Sequence, residues 1–76
     1  MKPVEIIWTD ALGGDGWVEK EEVEKLPLAQ IHSVGLLVNE TPDHITITLA
    51  DDPAQKNCGA YMVIPKFAIK KKRFLK

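Results

Sequence analysis

A hydrolytic centre needs at least a nucleophile, a base and a group that orients the base. This sequence holds one cysteine, Cys58, and two histidines, His32 and His44. Cys58 stands beside Gly59 in a polar run, with no oxyanion donor and no third group in view, and reads as a bystander. One Cys and two His without close spacing do not make a zinc site. Asp10 and Asp15 flank a glycine-rich loop, Gly13-Gly14-Asp15-Gly16, but the ordered oxygen ligands of a calcium loop are missing. The same loop lacks the lysine and the Ser/Thr of a phosphate-binding loop, as well as the glycine spacing of a dinucleotide site. The expectation is a protein without catalytic residues, metal or cofactor.

Two further groups of residues suit binding rather than catalysis. Trp17 follows the glycine loop and its acid Asp15. Two readings stand for it: it covers the mouth of the fold, or it is an exposed anchor for a protein partner. Tyr61 joins Trp17 and Asp15 as a candidate contact residue, whereas Trp8 reads as core. Lys70-Lys71-Lys72-Arg73 followed by Phe74 could hold phosphates and stack a base. Lysines on a terminal strand also discourage edge-to-edge aggregation, and that reading takes precedence.

Charge is lopsided although the formal net charge is −1. Residues 1–25 carry seven acids (Glu5, Asp10, Asp15, Glu19, Glu21, Glu22 and Glu24) against Lys2, Lys20 and Lys25. Residues 66–76 carry six bases and no acid. At 76 residues the chain makes one domain, 1–76, with a small core. Its 45% apolar content excludes a disordered chain, and no apolar run approaches the ~20 residues of a membrane span. No signal-peptide pattern opens the sequence, and a lone cysteine fits a reducing cytoplasm.

The elements that must position these residues are short. Strict alternation marks a strand over 45–50, with Ile45, Ile47 and Leu49 on one face. The run 31–38 is apolar on both faces near its end, as in a strand covered on two sides. Thr41-Pro42-Asp43-His44 joins the two as a hairpin turn. Before them, 4–9 forms a strand with Val4, Ile6 and Trp8 on one face. A two-turn helix over 18–25 follows, capped by Asp15, ended at Pro27 and lying as a lid. After the hairpin, 51–59 reads as a polar loop, 60–64 as a strand, 65–68 as a 3₁₀ break and 69–75 as a last strand.

Five short strands with a one-turn break before the last resemble the SH3-like or Sm-like small β-barrel, and an OB-fold is the alternative. Gly35-Leu36, opening a bent strand, and Ile64-Pro65-Lys66-Phe67-Ala68-Ile69, at the break, carry that likeness. A closer one rests on Val4-Glu5-Ile6-Ile7-Trp8-Thr9-Asp10-Ala11, Gly16-Trp17 with its acidic helix, Ser33-Val34-Gly35-Leu36-Leu37, the strand 45–50 and Ile64-Pro65-Lys66. In these the chain resembles a group of small accessory proteins of tailed bacteriophages and prophages. That resemblance implies action in the bacterial cytoplasm and carries over no residue role. The expected function is non-enzymatic: binding a host protein or sequestering a small molecule. A nucleic-acid-binding barrel using Lys70, Lys71, Lys72, Arg73 and Phe74 is the alternative. A homo-oligomer is also expected, with an edge strand or the strand 45–50 in the contact.

Overall fold

Val4, Ile6 and Trp8 alternate with polar or half-covered neighbours, and the chain from Pro3 to Asp10 forms strand β1 with those three side chains buried. The computed structural model describes residues 1–75; Lys76, one of the six C-terminal bases, lies outside the described residues. Beyond β1 come α1 (Lys20–Glu24), β2 (Ala29–Glu40), β3 (His44–Asp52), β4 (Asn57–Pro65), a 3₁₀ turn (Lys66–Ala68) and β5 (Ile69–Phe74). All five strands pair antiparallel in one open sheet, in the order β4-β3-β2-β1-β5. The fold is all-β, a small barrel-like sheet with one short helix in its first long connection.

Curling brings distant ends together. Lys66 N–H donates to the carbonyl of Asp43, which fastens the 3₁₀ turn to the β2–β3 turn. Glu40, at the end of β2, accepts from Lys66 and, at 3.0 Å, from Lys72 of β5. The core under this curl is Val4, Ile6, Trp8, Ile45, Ile47 and Ile64, with Ile31, Leu37, Ala68 and Ile69 packed against it. Gly35 sits where β2 crosses β3 closely: a Cβ there would lie 2.9 Å from the Thr48 carbonyl oxygen. The turn between β2 and β3 is held by Thr41, whose hydroxyl accepts from the N–H groups of Asp43 and His44.

Several expectations are corrected. The helix is a single turn, Lys20–Glu24, and Asp15 does not cap it. Glu19 takes the cap position in an extended conformation, without a side-chain hydrogen bond, because Gly16, Trp17 and Val18 favour extended chain over helix. Nor is the helix a lid, since every residue from 10 to 28 is exposed. The segment 51–59 is no loop, because the β3–β4 ladder continues through Asp51↔Cys58 and Asp52↔Asn57. Only residues 53–56 turn, with Lys56 at φ 57. A hydrogen-bonded ladder needs no apolar alternation, so the sequence pattern did not reveal it. Finally, β2 is not covered on both faces: Val34 and Val38 are exposed. Leu49, expected to share the core face of Ile45 and Ile47, is 71% exposed, because the core stops at Ile47.

Candidate functional site

The thiol and the imidazoles do not converge. Cys58 is exposed opposite Asp51, and His44 stands at the other end of β3, opposite Pro65. Seven residues of strand separate those positions, roughly 23 Å at ~3.3 Å per residue. His32 pairs with Ile7 near the middle of β2. No group of three or more metal-ligating side chains occurs among the described residues. No described helix is long and apolar enough to cross a membrane.

β5 spends half of its basic charge inside the molecule. Arg73 Nη2 lies 2.9 Å from Glu5 Oε1 on the neighbouring β1, and Lys72 is paired with Glu40. Phe74 has a cation against its ring on two counts, with Lys2 Nζ at 5.7 Å and Lys72 Nζ at 5.3 Å from the centroid. Such ammonium–ring contacts occupy the face a nucleobase would stack upon. Lys70 and Lys71 remain exposed, with no carboxylate at ion-pair distance among the described residues.

The structure separates the three candidate contact residues. Asp15 and Trp17 stand together on the arm formed by residues 11–28, where Trp17 touches nothing that shields it from solvent. Leu12, Val18, Val23 and Leu26 gather around the glycines of that arm. Tyr61 lies elsewhere, on β4, 71% exposed. Leu36, Thr48 and Tyr61 stand side by side across β2, β3 and β4. Tyr61 borders an open groove of about 370 Å³ lined by Ser33, Val34, Ile47, Thr48, Leu49, Ala60 and Met62.

That groove is tied to the core by a short relay. Trp8 Nε1 donates to Ser33 Oγ at 3.0 Å, and the Ser33 hydroxyl donates to Met62 Sδ at 3.8 Å. At the far wall the Thr48 hydroxyl donates to the Gly59 carbonyl, next to Ala60, whose φ of 54 is left-handed. From Asn57 to Pro65, β4 carries no charged side chain, although it is an outer strand. Outer strands are commonly protected by charge, as β5 is. This contrast between the two edges, together with the exposure of Val34 and Leu49, is the signal that sequence reasoning lacked, because it depends on which strands lie outermost.

A second depression, about 450 Å³, lies at the base of the arm between Trp8, Asp10, Leu28, Val63, Pro65 and Phe67. Phe67 is 93% exposed at its rim. Thr9, in its wall, has a buried hydroxyl without a hydrogen-bond partner among the described residues. No protein-family model, curated protein or solved structure matches the chain.

Proposed function

We propose that this protein is a non-enzymatic binding module that takes an extended, apolar segment of a protein partner along β4, with a side chain in the groove beside Tyr61. The observation that carries the reading is the uncharged outer strand Asn57–Pro65 bordering an apolar groove. Addition of a strand to a free sheet edge supplies main-chain hydrogen bonds, and a neighbouring pocket supplies specificity. Tyr61-Met62-Val63-Ile64, beyond the left-handed Ala60, is the apolar stretch that such a segment would meet. The likeness to phage accessory proteins makes a host protein in the bacterial cytoplasm the partner to look for. A small apolar molecule held in the groove is the competing occupant.

Site-specific photo-crosslinking in bacterial cells tests this. A photoreactive phenylalanine at Tyr61 is expected to give a discrete crosslinked protein, lost when Leu49→Glu places a charge in the groove. The same probe at Lys56, on the far turn, should give none. Equal labelling at both positions, or no adduct at Tyr61, overturns the reading. An added small mass on the intact protein in native mass spectrometry would replace it with ligand sequestration.

A further inference from the structure

The arm and the depression at its base are complementary, and neither is satisfied within one chain. Residues 11–28 carry Asp15, Glu19, Glu21, Glu22 and Glu24 against Lys20 and Lys25, with Trp17 fully exposed among them. The depression offers apolar walls in Leu28, Val63, Phe67 and Ala68, and β5, which begins at the next residue, carries Lys70 and Lys71. Its one acid, Asp10, is engaged locally, accepting from the backbone N–H of Ala11 at 2.8 Å. An acidic segment with an aromatic anchor thus calls for the kind of site the same chain displays: an apolar hollow followed in the chain by two lysines that have no ion-pair partner among the described residues.

We propose that two copies of this chain exchange arms, the Trp17 of each seating in the Trp8–Phe67 depression of the other while the acids of the arm meet Lys70 and Lys71. The arm leaves β1 at Asp10 and returns at Ala29, and Asp10 and Leu28 border the depression itself. Two copies brought depression to depression can therefore each give and receive an arm about a single two-fold axis, and the assembly closes as a dimer. Area is consistent with this. Trp17 and Phe67 from each copy, at ~150–250 Å² apiece, cover roughly 600–1,000 Å². The aliphatic side chains of both arms bring the total towards the ~1,200–2,000 Å² of a stable interface. This contact differs from the edge-strand or 45–50 contact expected of an oligomer, and it leaves the Tyr61 groove free.

Sedimentation of the full-length protein at tens of micromolar, with tryptophan emission recorded alongside, tests the exchange. The wild-type chain is expected to be a dimer with the Trp17 component of emission shifted to the blue. Trp17→Ala should be monomeric while keeping the buried emission of Trp8, which reports that the core is intact. Two charge variants complete the test: Glu21→Lys/Glu22→Lys, and Lys70→Glu/Lys71→Glu. Each should be monomeric alone, and an equimolar mixture should dimerise, because both arm contacts are then between opposite charges. A monomeric wild type overturns the proposal, whether Trp17 emits as exposed or, folded back on its own chain, as buried. A dimer that survives Trp17→Ala, or charge variants that fail to pair on mixing, overturns it as well.

Discussion

Ala60 is the residue at which local conformation and the proposed site meet. Its φ of 54 lies in the region that costs an L-residue with a Cβ roughly 1–2 kcal/mol. The strain is maintained by its surroundings: Thr48, 1% exposed, donates to the Gly59 carbonyl just before it. Backbone held in a sparsely populated conformation tends to mark sites of function. Ala60→Gly removes the steric cost but adds freedom to the unfolded chain, so a net gain of about 0.5–1 kcal/mol is expected. Ala60→Val, branched at Cβ, should lose more than that. Urea unfolding of both variants checks the signs; a destabilised glycine variant would mean that the left-handed turn is not strained.

At the scale of elements, the crossing of β2 over β3 depends on one absent side chain. A Cβ on Gly35 would meet the Thr48 carbonyl oxygen at 2.9 Å and the Cβ of Ile47 at 3.3 Å, and these are backbone and strand-fixed atoms that cannot swing aside. Gly35→Ala should therefore cost about 1–3 kcal/mol, the usual range for overpacking. In a domain of this size each kcal/mol lowers the midpoint of thermal unfolding by roughly 4–8 °C. Gly14→Ala, with nothing within 4 Å of its added Cβ, is the matched control and should change little. Gly35 was legible in the sequence because a glycine inside an apolar strand has few other reasons to be there. Val4, Ile6, Trp8, Ile45 and Ile47 were legible too, because period-two alternation is a local property. The continuation of β3–β4 through Cys58 was not, since polar residues can pair their backbones without any pattern. Nor was the engagement of Lys72 with Glu40 and Arg73 with Glu5, which join positions 32 and 68 residues apart. The direction of the arm was equally hidden: its short helix read as a lid, and nothing local says that a lid has nothing beneath it.

For the molecule as a whole, the question is what keeps a five-stranded sheet curled when β4 and β5 share no ladder. The buried cluster is six side chains, and a chain this short leaves much of its surface in water. Glu40 ties together elements that the ladders leave apart, since it gathers Lys66 from the 3₁₀ turn and Lys72 from β5 onto the end of β2. Those hydrogen bonds, first from Lys66 and then from Lys72, hold its carboxyl below the ordinary glutamate range. A carboxylate depressed in the folded state stabilises it fully above the unfolded value, and that contribution is lost as pH falls through the folded one. The window therefore opens below about pH 4.3, the ordinary glutamate value. Thermal unfolding followed from neutral pH into this acid range should show the wild-type chain above Glu40→Gln at neutrality. The gap should close progressively as Glu40 takes up its proton, while the other carboxylates titrate alike in both proteins and cancel in the difference. A gap that stays constant across the range would mean that Glu40 acts through shape alone, and the sheet would then be held curled by its apolar contacts.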